Sequence, residues 1–213
     1  MKDMKMKVYE QKGFPNPARV RLALAEKGLL DQVEFVPVDV MAGEHRTPEF
    51  LAKNPSGLVP ALELEDGTIL SECSAITEYL DHLDGNAELT GADAKSRGYI
   101  HMVQRKIEDG LLDAVGNYFH FATDGLGPDI EQYQNKDFGE RRRETALKTM
   151  AYINDLLEGQ DYVAGNELTV ADITAFAGFA FADFAGIETP TELTNVASWK
   201  ARINARPSIS ALN

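Results

Sequence analysis

The chain of 213 residues has a mass of 23.4 kDa, which suits one large or two modest domains, and its 44% of apolar residues can build a buried core. Its 34 acidic and 21 basic side chains leave a net charge of −13, which repels nucleic acids and anionic membrane surfaces, so we expect neither as a partner. The single cysteine, Cys73, excludes an internal disulfide and a structural zinc site, and without a secretory signal or an apolar run near 18 residues we expect a cytoplasmic protein with no membrane segment.

The first eighty residues predict a small mixed sheet flanked by helices. Apolar positions alternate where we expect strands and recur every three to four residues where we expect helices. In chain order the predicted elements are a strand at 5–9, a helix at 16–27, a strand at 33–40, a short helix after Thr47, a hairpin with strands at 58–64 and 67–70, and a helix at 73–83.

The sequence changes character after Asp84. A polar, poorly periodic stretch follows, and helical patterns then cover residues 92–121, 138–158, 169–185 and 195–205. We therefore expect an α/β domain over residues 1–83, a linker over 84–92 and an all-helical domain over 93–213.

The stretch Leu58-Val59-Pro60 places a proline where a sheet ladder needs an amide donor. If the Val59–Pro60 bond is cis, the backbone amide and carbonyl of Val59 are left free at the sheet edge, and an extended peptide can pair with them by strand addition. An ordinary edge-strand proline is the alternative.

The stretch from Asp66 to Ile76 predicts a strand that runs straight into the start of a helix. Free amides at a helix N-terminus attract anions, so a carboxylate over Cys73 and Ser74 would receive backbone hydrogen bonds, while Glu72 could hold an ammonium group. The alternative is that Glu72 and Ser74 merely cap the helix. A site that pairs with extended backbone and also holds an amino-acid head group fits a γ-glutamyl tripeptide, which is glutathione.

Two motifs carry a family resemblance. The segments NPSGLVPAL, residues 54–62, and DGTILSECSAITEYL, residues 66–80, resemble the NPxGxVPxL and DGxxLxES patterns of the cytosolic glutathione transferases. Residues 168–173 resemble the family's buried capping box, in which Thr169 and Asp172 have a structural role, and residues 199–207 resemble its closing helix. The resemblance covers essentially the whole chain.

The resemblance implies a thioredoxin-like N-terminal domain followed by an all-helical C-terminal domain that contributes the electrophile pocket. It also implies glutathione as co-substrate and a homodimer. In the family the proline matching Pro60 is cis, Val59 pairs with the cysteinyl part of glutathione, and the positions of Glu72 and Cys73 hold the γ-glutamyl group. His45 resembles a histidine that contacts the glycyl end, with an ordinary surface histidine as the alternative.

The group that activates the thiol of glutathione departs from the usual pattern, because Phe14 stands where many relatives carry serine. The segment Phe14-Pro15-Asn16 resembles the TPN motif of nu-type enzymes, so Asn16 is the first catalytic candidate, with a helix N-cap as the alternative. Tyr9 is the second candidate, because other classes donate from a strand-one tyrosine; core packing is its alternative.

Cys73 is a second departure, because relatives carry serine or threonine there and a thiol is a weaker hydrogen-bond donor. A mixed disulfide between Cys73 and glutathione is a further hypothesis, although the side chain should face the γ-glutamyl carboxylate. Aromatic and polar residues on the predicted helices are candidates for the electrophile pocket: Tyr99, His101, Met102, Arg105, Tyr118, Phe119, His120 and Phe121.

Three functions remain open at this point. The first is conjugation of glutathione to a small hydrophobic electrophile. The second is glutathione-dependent reduction of a disulfide or peroxide, as in nu-like enzymes. The third is a non-catalytic module of the same fold that takes part in protein assembly.

Overall fold

The computed structural model describes residues 6–212, which divide into two compact units. The first unit comprises residues 6–87 and 207–212, and the second comprises residues 88–206. The first is a mixed α/β unit and the second is helical, which confirms the predicted fold class. Lys5, where the first strand was predicted to begin, lies outside the described residues.

The first unit is built on a four-stranded sheet with the strand order β2-β1-β3-β4. Strand β1 is parallel to β2 and antiparallel to β3, and β3 is antiparallel to β4. The elements are β1 (Met6–Glu10), α1 (Pro15–Glu26), β2 (Val33–Pro37), α2 (Pro48–Lys53), β3 (Ala61–Glu63), β4 (Ile69–Ser71) and α3 (Cys73–His82), with 3₁₀ turns at Leu30–Gln32 and Glu44–Arg46.

Strands β2, β3 and β4 are shorter than their apolar patterns predicted. Strand β3 begins at Ala61 because Pro60, directly before it, has no amide to donate. Strand β2 ends at Pro37, and the amide of Val40 then bonds to the side chain of Gln11 at 3.0 Å instead of a neighbouring strand.

The sheet separates two apolar clusters, because successive side chains of a strand point to opposite faces. Val8 and its partner Leu62 pack with helices α1 and α3, in a cluster that also contains Met6, Val20, Leu24, Cys73, Ile76 and Leu80. The next pair along, Tyr9 and Ala61, packs on the other face with Val38 and with Phe50 of α2. A residue of β1 therefore faces either α1 and α3 or α2.

The second unit consists of the helices α4 (Ala94–Ile107), α5 (Asp113–Ala122), α6 (Lys136–Leu156), α7 (Val170–Phe184) and α8 (Thr194–Asn204). The single long helix predicted over 92–121 is interrupted by five π-helical residues, Glu108–Leu112, between α4 and α5. A final 3₁₀ helix, Pro207–Leu212, belongs to the first unit, where the carbonyl of Ala211 accepts a hydrogen bond from Arg21 at 3.2 Å.

Asp172 has the structural role predicted from the capping box. It is completely buried, and its carboxylate accepts hydrogen bonds from the amide and hydroxyl of Thr169, both at 2.9 Å. The amide of Val163 donates to it at 2.9 Å and the indole of Trp199 at 3.0 Å. Burial raises the pKa of Asp172, whereas these donors favour the ionised carboxylate that fastens α7 to α8.

Candidate functional site

Three strands have their ends side by side at one end of the sheet. Tyr9 pairs with Ala61, and Ala61 pairs with Ser71, in two antiparallel ladders. The end of β1, the start of β3 and the end of β4 are therefore neighbours. The predicted binding stretches around Pro60 and Glu72 lie at this end of the sheet, and α1 begins a few residues after β1.

The loop before β3 is shaped by a buried asparagine. The Asn54 amide donates to the Leu58 carbonyl at 2.8 Å, and its carbonyl oxygen accepts from the hydroxyl of Ser56 at 2.9 Å. Gly57 has a φ of +61°, which favours glycine, and a Cβ there would lie 3.1 Å from the carbonyl oxygen of His45. The loop is thus ordered by its own side chains and lies against the turn that carries His45.

The Val59–Pro60 peptide bond is cis, so the ordinary edge-strand alternative is wrong. Within residues 6–212 the backbone of Val59 makes no hydrogen bond, and Leu58 beside it is 55% exposed. The amide and the carbonyl of Val59, just before the inner strand β3, are therefore open to an extended ligand.

Glu72 is the one non-glycine residue within 6–212 with a positive φ, at 69°. It is the N-cap residue of α3, as the capping alternative has it, but its side chain makes no hydrogen bond to the helix. A non-glycine residue in this conformation costs about 1 to 3 kcal/mol, and such residues cluster at functional sites.

The Cys73 side chain faces α1 across the core. It is buried, and its sulfur lies 3.4 Å from the backbone oxygen of Asn16 and 3.7 Å from the Oδ1 atom of the same residue. The backbone amide of Cys73 belongs to the first turn of α3, where amides have no partner within the helix. The structure thus brings together Cys73 and Asn16, two of the predicted site residues.

Asn16 lies in the first turn of α1 and not at its N-cap, which is Phe14, so the N-cap alternative is wrong. Its neighbours Pro15 and Pro17 have no amides, so the Asn16 amide is the free backbone donor left in this turn. Its Oδ1 atom accepts a hydrogen bond from Arg19 at 3.0 Å, and its Nδ2 atom has no partner within residues 6–212. In the half-buried side chain of Asn16, the oxygen Oδ1 is thus hydrogen-bonded, whereas the nitrogen Nδ2 is open to a ligand.

Tyr9 is not brought together with Asn16. It lies on the face of the sheet that packs against α2, where its hydroxyl donates to Glu63 at 2.6 Å, and Lys53 donates to the same carboxylate at 3.2 Å. Burial and the hydrogen bond to Glu63 raise the pKa of the Tyr9 hydroxyl. Asn16 and Cys73 belong to the opposite face, so the structure favours core packing for Tyr9.

His45 is buried, at 9% exposure, so the alternative of a surface histidine is wrong. It lies in the turn Glu44–Arg46, and its Nδ1 atom is buried with no hydrogen-bond partner within residues 6–212. Burial, helped by the charge of Arg46, lowers the pKa of His45. An unsatisfied ring nitrogen costs free energy, and a ligand group could satisfy it.

Arg19 is a site residue that the sequence analysis missed. It is only 2% exposed and holds the Asn16 carboxamide. The available signal was a charged residue on a helix of mostly apolar buried positions, three residues after Asn16.

The predicted pocket residues of the second unit have different surroundings. Tyr99 and Met102 are exposed on α4, at 43% and 44%. On α5, Phe119 packs against Phe181 and Phe184 of α7, with ring centroids 5.5 and 5.7 Å away. Three polar candidates have local partners: His101 contacts Gln104, Arg105 pairs with Glu108, and His120 lies 2.7 Å from Glu131.

Residues 6–212 contain no helix with the length and apolar character required to span a membrane. In the same part of the chain, no three histidine, cysteine or acidic side chains are grouped as metal ligands would be.

Family models match both halves of the chain. The model for the glutathione S-transferase N-terminal domain matches residues 15–83, and the model for the C-terminal domain matches residues 112–207.

Individual proteins match over nearly the full length. Glutathione S-transferase 2 of Saccharomyces cerevisiae is 50% identical over 208 residues, which cover 98% of this chain and 89% of the relative. The crystal structure of Gtt2 from Saccharomyces cerevisiae is 49% identical with a TM-score of 0.95, over 97% of this chain and all of that one. A glutathione S-transferase domain-containing protein from Marinobacter aquaeolei is 56% identical with a TM-score of 0.93, over 95% and 99% of the two chains.

Proposed function

This chain belongs to the cytosolic glutathione transferase superfamily, and from that premise we propose that it activates the thiol of glutathione for attack on a small hydrophobic electrophile. Glutathione is the co-substrate. Since the cytosol holds a reduced glutathione pool, we place the activity there.

The residues at this end of the sheet fit a γ-glutamyl tripeptide. The open backbone of Val59 would pair with the cysteinyl residue, and the first amides of α3 with Glu72 would hold the γ-glutamyl head group. The buried, unpartnered Nδ1 atom of His45 would meet the glycyl carboxylate. In the described part of the chain, the backbone of Val59, the side chain of Glu72 and the Nδ1 atom of His45 have no hydrogen-bond partner.

The single observation that carries the catalytic proposal is the state of the Asn16 carboxamide. Its oxygen Oδ1 is hydrogen-bonded and its nitrogen Nδ2 is open. The side chain lies at the start of α1 and contacts Cys73, the first residue of α3. An N–H donor and two helix N-termini all favour a thiolate over a thiol. A free cysteine thiol has a pKa of about 8.5, so such groups increase the thiolate fraction at neutral pH.

An apolar second substrate is supported by the rings of Phe119, Phe181 and Phe184, since Phe184 is 75% exposed. Phe119 and Phe181 are half-buried beside it, and adjacent apolar side chains that reach the surface can line a ligand site. Disulfide reduction is the second candidate, because the same open amide of Asn16 would stabilise a thiolate that attacks sulfur as well as carbon.

The test begins with calorimetry of the full chain with millimolar glutathione, where we expect binding. Conjugation of a nitroaryl chloride is then compared with reduction of a mixed disulfide, and conjugation should be faster. Asn16→Ala should lower turnover at least tenfold, or about 1.4 kcal/mol, whereas Asn204→Ala, an exposed asparagine on α8, should not. Binding without either reaction would support the non-catalytic module, and absence of binding would overturn the proposal.

A further inference from the structure

A buried arginine lies directly behind the Asn16 carboxamide. Arg19 is 2% exposed although its guanidinium carries a permanent charge, and arginine is rarely buried to this extent without specific partners. Its Nη1 atom donates to the Oδ1 atom of Asn16 at 3.0 Å, three residues earlier on α1. The side chain assigned to the thiol of glutathione is therefore held by a charged group.

The contact determines which way the carboxamide faces. A guanidinium has only donors, so the atom of Asn16 that meets Arg19 must be the oxygen, and a turned carboxamide would place two donors against each other. The Cys73 thiol, 3.7 Å from the same oxygen, is a weaker donor acting in the same sense. Within residues 6–212 the side chains that contact this oxygen are Arg19 from α1 and Cys73 from α3, and neither bonds to Nδ2.

We propose that Arg19 is a positioning residue, whose guanidinium holds the Asn16 carboxamide so that its nitrogen, and not its oxygen, is presented to the sulfur of bound glutathione. The nitrogen donates to a thiolate, whereas the oxygen would repel it. The inference rests on the proposed function, because Arg19 acts only through Asn16.

A second arginine on the same helix, half-buried and ion-paired, provides a control. Arg21 binds the buried carboxylate of Glu10 through its Nε atom at 2.9 and 3.0 Å and stacks over the ring of Phe35. Within residues 6–212 it makes no hydrogen bond to Asn16. Loss of its guanidinium removes comparable packing and charge from α1 without releasing the carboxamide.

The experiment measures the pKa of the glutathione thiol bound to each variant, from the ultraviolet absorbance of the thiolate as a function of pH. Arg19→Gln should raise this pKa by about one unit, which is about tenfold less thiolate at neutral pH. At pH values below the thiol pKa, the variant should conjugate more slowly than the wild type. At pH values above it, the two rates should converge, because the thiolate then forms without help. Arg21→Gln should lower the melting temperature and leave the thiol pKa unchanged.

Arg19→Lys covers the case in which Arg19→Gln fails to fold, because it keeps the positive charge but loses the planar fork of donors. We expect a smaller increase of the thiol pKa in this variant. A thiol pKa at the wild-type value in the folded Arg19 variants would overturn the inference, and so would an equal increase in Arg21→Gln.

A double variant separates this inference from the proposed function. Asn16→Ala should raise the thiol pKa, and adding Arg19→Gln should raise it no further, since the two residues act as one unit. An additional increase would mean that Arg19 acts independently and would overturn the positioning role. If Asn16→Ala shifts the pKa and Arg19→Gln does not, Arg19 loses its role and the proposed function stands. If Asn16→Ala has no effect, the proposed role of Asn16 fails.

Discussion

Two residues at the candidate site have features that cost free energy. Glu72 has a left-handed backbone conformation in front of α3, and His45 buries a ring nitrogen that has no partner within residues 6–212. Such features persist when the surrounding structure imposes them, and a ligand that uses them recovers part of the cost. Each therefore makes a testable prediction about stability.

Glu72→Gly should raise the free energy of unfolding by about 1 kcal/mol, because glycine adopts a φ of 69° without steric cost and is also acceptable at a helix N-cap. The same variant should bind glutathione about tenfold more weakly, through loss of the carboxylate. Urea unfolding and calorimetry measure the two effects. Glu72→Gln is the control, which should lose affinity with no gain in stability; a less stable Glu72→Gly would contradict the prediction.

The buried His45 should make stability depend on pH. Its folded-state pKa is lowered below the ordinary value of about 6.5, so below that pH the unfolded chain binds more protons than the folded one. The contribution of neutral His45 to the free energy of unfolding is therefore fully present above about pH 6.5. It is lost as the pH falls from there through the lowered pKa of the folded state.

Urea midpoints at about pH 7.5 and 5.5 should therefore differ more for the wild type than for His45→Gln. His82→Gln is the control, because the His82 side chain is 40% exposed, and it should show the same loss as the wild type. An equal pH dependence in wild type and His45→Gln would rule out this role.

Among the elements, the helices of the second unit approach closely through small residues. Gly139, in the first turn of α6, faces the end of α5, where a Cβ would lie 2.6 Å from the Cβ of Ala122 and 2.9 Å from its backbone nitrogen. Gly98 on α4 has open space around the corresponding position. The two glycines have the same helix propensity, so tertiary packing alone distinguishes them.

Gly139→Ala should lower the free energy of unfolding by about 1 to 3 kcal/mol, because the backbone of Ala122 must move to accommodate the methyl group. Gly98→Ala should raise it by about 0.5 to 1 kcal/mol, through helix propensity alone. Thermal or urea unfolding of both variants provides the measurement. Effects of the same sign would show that α5 and α6 are not in the described contact.

In the molecule as a whole, the chain builds its first unit from both of its ends. Residues 207–212 return to α1, where Ser208 donates to Glu26 and Ala211 accepts from Arg21. The second unit leaves an apolar surface open on α4, where Tyr99 and Met102 are one turn apart. Exposed apolar residues at this spacing are typical of an interface.

We expect a homodimer whose interface includes this surface of α4. Sedimentation should give about twice the 23.4 kDa of one chain, and the double substitution Tyr99→Glu and Met102→Glu should give monomers. Tyr133→Glu, at a residue that is 71% exposed, should leave the dimer intact. A monomeric wild type would refute the dimer, and a dimeric double variant would move the interface elsewhere.

Local sequence patterns predicted a large part of this molecule. Alternating and helical periodicity indicated the α/β unit and the following helices, because each strand or helix needs an apolar face of matching period. The motif around Thr169 predicted its capping box with Asp172, three residues away. The stretches around Pro60 and Glu72 were recognisable for the same reason, since their chemistry lies within a few consecutive residues.

Other features were decided by contacts between residues far apart in the sequence. The amino-acid pattern alone was enough to predict the fold class, the order of the elements and the candidate residues. Only the tertiary structure placed Asn16 against Cys73, 57 residues away, put Tyr9 on the opposite face of the sheet and buried both His45 and Arg19. These outcomes depend on strand register and on helix packing, which no local pattern specifies, because a side chain's partners are set by the elements that close over it.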